Sequence, residues 1–177
     1  MHAVIVYESM FGNTRSIAEA IAEGLGSSVE VRVVRVADAD ADATILEGAD
    51  LLVVGGPTHA WGMSKSNTRK GTPNYVRRPG SDLVLEPGAN SGPGVREWLD
   101  ALDQVSVKAA VFDTRFKAPA LLTGRASKGI EKKLSSHGLM MVVAPESFLV
   151  NKKNHLFPGE IDRARAWGSR LTTLGTP

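Results

Sequence analysis

Apolar positions along the chain follow two periods, one typical of buried strands and one typical of amphipathic helices. Unbroken runs rich in β-branched residues at 3–7 and 51–54 predict central strands of a parallel sheet, with both faces covered. Residues 29–33 alternate between apolar and charged side chains, which predicts a strand at a sheet edge. Further strands are predicted at residues 108–113 and 139–144, with 147–150 as a possible continuation.

Between these strands, apolar residues recur at three- and four-residue spacing, which predicts helices around residues 17–25, 95–102, 126–134 and 161–174. Gly24 or Gly26 is expected to end the first helix and Gly138 the third. A short helix is also predicted near residues 44–47. Strands that alternate with helices require right-handed crossovers, so the pattern indicates an α/β fold with a doubly wound, five-stranded parallel sheet and helices on both faces.

One stretch, residues 63–92, lacks a clear period and is rich in Ser, Asn, Thr, Gly and Pro. It contains five basic and two acidic residues, a charge of +3, whereas the whole chain carries +2 and the remainder therefore −1. An irregular loop of this length within one compact domain is uncommon and indicates a functional or mobile segment. No other stretch reads as a linker, so a single domain over residues 1–177 is expected.

The composition limits the kinds of redox, metal and nucleic-acid chemistry that the chain can support. With no cysteine, the chain forms no disulfide or thiolate metal site, and redox chemistry would require a bound cofactor. The four histidines have no metal-pair spacing, so no metal is predicted. A net charge of +2 is too small to indicate nucleic-acid binding. The first residues begin a strand pattern without a signal-like or membrane-spanning run, which predicts a cytoplasmic protein.

The strongest local motif lies between the first strand and the first helix and consists of Ser9, Met10, Phe11, Gly12, Asn13 and Thr14. Backbone amides at a tight turn into a helix bind phosphate, and glycine permits the close approach. The alternative is that Asn13 caps the helix and Gly12 only turns the chain. Because the triphosphate and dinucleotide glycine motifs are absent, a terminal monophosphate fits this turn better.

This motif resembles the loop that binds the phosphate of flavin mononucleotide (FMN) in flavodoxins. Phe11 replaces the hydroxyl residue usual at the third position, as in the flavodoxin-like modules of flavodiiron proteins. The resemblance implies FMN as cofactor and a sheet order of 2-1-3-4-5. In that order, the loops after the first, third and fourth strands meet where the winding direction reverses.

Two further segments match loops that contact the flavin ring in flavodoxin-like proteins. The first segment, which resembles the quinone-reductase branch, comprises Pro57, Thr58, His59, Ala60, Trp61 and Gly62, and the second comprises Asp113, Thr114, Arg115 and Phe116. Trp61 is expected to stack on the ring, the alternative being a Trp buried under residues 63–92. Phe116 is expected on the other face, with Arg115 or Lys117 near the pyrimidine edge unless these are solvated surface charges. His59 is a candidate proton relay or an ordinary surface histidine.

The resemblance leaves several functions open. One is an electron carrier with a redox partner protein, and another is a flavin or quinone reductase that takes hydride from NAD(P)H and reduces a small acceptor. A menaquinone-linked protoporphyrinogen oxidase is a variant of the second. A flavin-free binding module is a third class, because a fold does not fix a function. The donor, the acceptor and the oligomeric state are not predicted.

Overall fold

A computed structural model describes residues 1–59, 61–103 and 105–175. In chain order its elements are β1 (His2–Tyr7), α1 (Asn13–Leu25), β2 (Glu30–Arg35), α2 (Val36–Asp40), β3 (Leu51–Pro57), α3 (Ser66–Lys70), α4 (Pro73–Val76), α5 (Val95–Ala101), β4 (Lys108–Phe116), α6 (Ala120–Thr123), α7 (Ala126–Ser136), β5 (Met140–Met141), β6 (Glu146–Val150) and α8 (Glu160–Gly175). Within these described residues, none of the helices has the length and apolar character needed to span a membrane.

The strands form one parallel sheet in the order β2-β1-β3-β4-β5, with β6 also paired to β4. The predicted fold class and strand order are therefore confirmed, as is the edge position of β2. The strand predicted at residues 139–144 is shorter than expected, because only Met140 and Met141 pair with β4 before the chain turns away. Pro145 then precedes β6 and has no amide to continue the ladder.

Two apolar clusters cover the two faces of the sheet. One includes side chains of α2, α5 and α7, and the other includes side chains of α1 and α8. Helices α1 and α8 approach closely at two glycines. A Cβ on Gly24 would lie 2.1 Å from the carbonyl oxygen of Arg165, and one on Gly168 would lie 2.3 Å from that of Ile21. Gly24 thus lies inside α1, and Gly26, with φ of 82°, ends it.

The helix predicted near residues 44–47 is absent from the structure. Helix α2 lies earlier, directly after β2, and turns follow it. Asp42 accounts for the difference, since its Oδ1 accepts hydrogen bonds from the amide of Thr44 at 3.0 Å and from its hydroxyl at 2.7 Å. Such local bonds favour a turn over a helix.

Candidate functional site

A cavity of about 660 Å³ opens at the carboxyl ends of β1, β3, β4 and β6. This is where the sheet reverses its winding direction between β1 and β3, the position at which open α/β sheets bind ligands. The volume is within the range of small-molecule sites. The predicted residues on its wall are Ser9, Met10, Phe11, Asn13, Thr14, Pro57, Thr58, His59, Trp61, Thr114, Arg115 and Phe116.

The turn after β1 has the geometry of an anion site. Gly12 adopts φ of 89°, which is left-handed, and is the N-cap of α1. Its amide donates to the hydroxyl of Ser9 at 3.1 Å, and the buried Thr14 hydroxyl lies 2.8 Å from that of Thr114. Amides in the first turn of a helix have no acceptor within the helix, so those of Asn13 and Thr14 are available to a ligand.

The alternative role for Asn13 as a helix cap is wrong. Gly12 occupies the cap position, and no side-chain hydrogen bond from the described residues caps the start of α1. The Asn13 side-chain amide instead donates to the carbonyl of Asn154 at 2.6 Å. Asn13 therefore joins the turn after β1 to the turn after β6, which forms another part of the cavity wall.

Trp61 projects from a tight loop after β3. His59 and Gly62 close that loop by mutual backbone hydrogen bonds of 2.8 and 3.0 Å, while Ala60 lies outside the described residues. Trp61 has φ of 70° and is 68% exposed, so the alternative of a Trp buried under residues 63–92 is wrong. Gly62 is part of this loop but is not among the residues that line the cavity.

The strained Trp61 backbone is supported from outside the loop. It pairs with Gly124, where a Cβ would lie 2.1 Å from the Trp61 carbonyl oxygen. A non-glycine residue in the left-handed region costs about 1–3 kcal/mol and persists only where neighbouring structure enforces it. The Gly124 contact is one such constraint, and it keeps the indole at the mouth of the cavity.

His59 lines the cavity and is mostly buried. Burial lowers the pKa of its imidazole, and the positive charge of Arg69 lowers it further. Both causes favour the neutral form, which has one donor and one acceptor nitrogen. The proton-relay role of His59 stays a prediction.

The segment at the end of β4 divides between the cavity and the protein interior. Thr114, Arg115 and Phe116 line the cavity. Asp113 does not line the cavity, which corrects its predicted place at the flavin. Its carboxylate is fully buried, accepts a hydrogen bond from the amide of Ser127 at 2.8 Å and so caps α7. Successive residues of a strand point to opposite faces, so Asp113 and Thr114 have different surroundings.

Arg115 and Lys117 have unlike environments. The Arg115 guanidinium donates to the carbonyls of Phe116 and Ala118 and to the hydroxyl of Thr123, at 2.8–3.2 Å. It holds the α6 segment against β4, so it is more than a solvated surface charge. Lys117 is absent from the cavity wall and exposed, with its ammonium 4.9 Å from the centre of the Phe157 ring.

The cavity wall also contains residues that sequence reasoning missed. They come from the segment 63–92, from α6 and from the turn after β6, and include Tyr75, Arg78, Leu83, Leu122, Lys152, Lys153 and Asn154. Tyr75 contacts Phe11 edge-on, with ring centres 6.3 Å apart, and the Arg78 guanidinium lies 4.1 Å from the Tyr75 ring centre. The sequence offers one indication of a role for Tyr75, which is an aromatic residue in a basic stretch with no predicted helix or strand.

The segment 63–92 is anchored to the end of β1 by a buried polar network. Glu8 accepts a hydrogen bond from the Ser64 hydroxyl at 2.5 Å and from the Val95 amide at 2.8 Å. Arg69, only 3% exposed, donates to Ser64 at 2.9 Å and pairs with Glu97 at 3.1 Å. Burial raises the pKa of Glu8. The network holds α3 in place, and α4 follows directly to present Tyr75 to the cavity.

Charge at the cavity is predominantly positive. Its formally charged lining residues are Arg78, Arg115, Lys152, Lys153 and Asp82, which is four positive against one negative, or +3. Asp82 is also paired with His155 at 3.2 Å. Since the whole chain carries only +2, the positive charge is concentrated at this site.

Comparisons with known proteins agree with this fold. The flavodoxin family model matches residues 5–77. An archaeal flavodoxin structure is similar over 99% of both chains, with 21% identity and a TM-score of 0.66. Flavodoxin 1 from Bacillus cereus is similar over 98% of both chains, with 21% identity and a TM-score of 0.65.

A flavodiiron protein from Giardia intestinalis is similar over 98% of this chain but 36% of its own, with 17% identity and a TM-score of 0.62. No curated protein sequence matches the chain. The resemblance inferred from the sequence is therefore confirmed: the chain has the flavodoxin fold, and its residues 5–77 match the flavodoxin family model.

Proposed function

We propose that this protein binds one FMN in the cavity and transfers electrons through it. The observation that carries the proposal is the convergence of the loops after β1, β3 and β4 on one cavity, with a left-handed glycine turn in one loop and exposed aromatic rings in the other two. An anion site beside an aromatic surface suits a ligand with a phosphate and a flat ring system. The family-model match over residues 5–77 supports the same ligand.

The residues present fit FMN in both parts. The turn of residues 9–14 would hold the phosphate through its amides and the hydroxyls of Ser9 and Thr14. Trp61, Tyr75 and Phe116 would bind the ring, since all three line the cavity and are 44–68% exposed. The Nε of Arg115 is buried and has no hydrogen-bond acceptor among the described residues, so it offers a donor to a ligand.

When bound, FMN supplies the redox chemistry, and the protein fixes its position and surroundings. The aromatic side chains exclude water from the ring faces, and the positive wall favours added negative charge. His59, neutral and on the wall, is available to hold or pass a proton at an imidazole nitrogen. We propose that one domain, covering the whole chain, performs this function.

A second candidate is an FMN-dependent reductase that uses NAD(P)H and a small acceptor. The observation in its favour is the wall formed by Tyr75 and Arg78, which covers one side of the cavity. The exposed apolar side chains of α6, Leu121 and Leu122, favour the electron carrier.

The proposal is tested by purification and flavin analysis. The protein should purify yellow, or bind one equivalent of added FMN, and release FMN on denaturation. Anaerobic addition of NADH or NADPH then separates the candidates, because rapid bleaching of the flavin band supports the reductase and slow bleaching supports the carrier. A folded protein that takes up no flavin would overturn both and favour a flavin-free binding module.

A further inference from the structure

Four large apolar side chains are exposed beside the mouth of the cavity. Trp61, Phe116, Leu121 and Leu122, here called the α6 patch, are 68%, 47%, 91% and 66% exposed. They are neighbours in the fold because Gly124, directly after α6, pairs with Trp61, and Arg115 binds the carbonyl of Phe116 and the hydroxyl of Thr123. Single exposed apolar residues are common, but a cluster of large ones indicates an interaction surface.

The α6 patch is held in place rather than left loose. Arg115 donates to the Ala118 carbonyl at 2.8 Å as well as to Thr123. The amides of Leu122 and Gly124 donate to the carbonyls of Pro119 and Ala120 at 2.8 Å. A surface that keeps its shape before binding loses less conformational entropy when a partner docks.

The α6 patch also extends beyond what a ligand in the cavity would cover. Leu122, Trp61 and Phe116 line the cavity, but Leu121 does not. A small acceptor inside the cavity would therefore leave Leu121 in water. A protein surface that closes over the cavity mouth would cover it.

The charges around this surface specify the partner. Arg78, Lys152 and Lys153 line the same cavity, and the exposed Lys117 is next to Phe116 in the chain. The acidic residue on the cavity wall is Asp82, whose carboxylate lies 3.2 Å from the Nε2 of His155. An apolar centre with a positive surround complements a partner that has an apolar centre and an acidic surround.

We infer that the α6 patch is the docking surface for an acidic redox protein, which covers Leu121 and Leu122 and is oriented by the surrounding lysines and arginines. The inference deepens the proposed function and rests on it for the electrons that are exchanged. Docking itself depends only on the surface of this chain.

The test uses the full-length protein and two haem proteins of opposite charge, an acidic b-type cytochrome and a basic c-type cytochrome. Dissociation constants are measured by NMR titration of isotope-labelled protein, which also locates the contact surface. Leu121→Glu is compared with Met140→Glu. Met140 is 61% exposed and pairs with Lys108 at the start of β4, the end of the sheet opposite the cavity. Both variants remove one exposed apolar side chain and add the same charge.

The parent should bind the acidic cytochrome at least about tenfold more tightly than the basic one at low salt, with shifts at residues 116–124. This preference should fade when salt shortens the Debye length from roughly 30 Å to about 8 Å. Leu121→Glu should weaken that binding by about tenfold, through lost apolar burial and added repulsion, and Met140→Glu by less than about twofold.

Tighter binding of the basic cytochrome, or equal weakening by the two variants, would overturn the inference. So would the absence of binding to either cytochrome by a protein that rapidly reduces ferricyanide, since the acceptor would then be a small anion. Failure of the proposed function is separate, because a protein without flavin would still report docking in the NMR titration.

Discussion

At the scale of single residues, several positions beside the cavity hold left-handed backbone angles, among them Gly12 and Trp61. Gly12 does so at φ of 89° and Trp61 at φ of 70°. Glycine adopts this conformation without a steric cost, whereas tryptophan does so at a cost of about 1–3 kcal/mol. Gly12 lets the backbone turn its amides toward the cavity, and the Gly124 contact enforces the angle at Trp61. The left-handed angle at each position is therefore connected to the shape of the site, and only the angle at Trp61 is strained.

Gly12→Ala should weaken FMN binding by about tenfold or more, because alanine disfavours the angle that aligns the turn. Gly26→Ala is the matched control, since Gly26 has φ of 82° at the other end of α1 and no atom within 4 Å of an added Cβ. Both substitutions should lower the free energy of unfolding by about 1 kcal/mol. Flavin titration and chemical denaturation measure the two effects. Equal FMN affinity in the two variants would place the phosphate elsewhere.

Trp61→Ala should weaken FMN binding by about three- to tenfold, the amount expected for loss of one aromatic stacking contact. Trp61→Phe keeps a flat ring and should lose less than about threefold. Both variants should leave the free energy of unfolding nearly unchanged, because the side chain is largely in water. If Ala and Phe bound FMN equally well, Trp61 would not contact the ring.

His59 makes the stability of the folded protein depend on pH. The pKa of the folded state lies below the ordinary value of 6.5, so the unfolded chain takes up this proton first as pH falls. The free energy of unfolding is therefore unaffected by this proton above about pH 6.5 and falls progressively below it, as the unfolded chain binds the proton. Between about pH 7.5 and pH 5.5, the parent should therefore lose more unfolding free energy than His59→Gln. Parallel pH profiles in denaturant melts would contradict this.

Sequence reasoning placed the turn of residues 9–14 and Trp61 at the cavity because each directly follows a recognisable strand. It was wrong about Asp113 because a motif match does not state which face of the strand a residue occupies. Thr114 lines the cavity, while Asp113 caps α7. The predicted strand ends at residue 113, whereas β4 continues to Phe116, so Asp113 and Thr114 are both strand residues and point to opposite faces.

At the scale of elements, the anchoring of α3 and α4 decides the shape of one cavity wall. Arg69 donates to Ser64 and to the carbonyl of Gly92, which connects the beginning of the segment 63–92 to its end. Although this stretch carries five positive charges, Arg69 is buried and structural. Only part of the basic excess therefore faces solvent.

Arg69→Met should destabilise the protein by about 3 kcal/mol, because it removes the cation from a buried network that includes the Glu8 carboxylate. Lys70→Met, at the exposed neighbouring position, should change stability by less than about 0.5 kcal/mol. Thermal and denaturant unfolding measure both. A small effect of Arg69→Met would mean that the segment 63–92 is held by other contacts.

The longer helices could be predicted because each spans several turns and shows a complete apolar period. Helices α3 and α4 have five and four residues, too few to display a period or to be stable alone. They form because Arg69 and Ser64 bond to residues distant in sequence. Side-chain contacts of that kind leave no local pattern, so the segment 63–92 read as irregular.

At the scale of the whole molecule, a nearly neutral chain concentrates positive charge around one cavity. The strand order could be predicted from the alternation of elements together with the family resemblance, and it brings the three loops together. The contribution of the turn after β6, with Lys152 and Lys153 on the cavity wall, could not be predicted, because its hydrogen bond between Asn13 and Asn154 joins residues distant in sequence.

Lys153→Gln should make the midpoint potential of the bound flavin more negative, because a positive charge on the cavity wall stabilises the negative charge gained on reduction. Lys132→Gln, on the exposed surface of α7, should leave the potential unchanged. The difference should shrink as salt screens exposed charges. Redox titration of both variants beside the parent measures this, and equal potentials would show that the charge of Lys153 does not reach the flavin.

The most direct test of the central claim is calorimetric titration of flavin-free protein with FMN and, separately, with riboflavin, which lacks the phosphate. We predict one equivalent of FMN bound, with riboflavin at least about a hundredfold weaker, because two or more charge-assisted hydrogen bonds from the turn of residues 9–14 are lost. Equal affinity for the two flavins, or no heat of binding with either in a folded protein, would contradict an FMN site in this cavity.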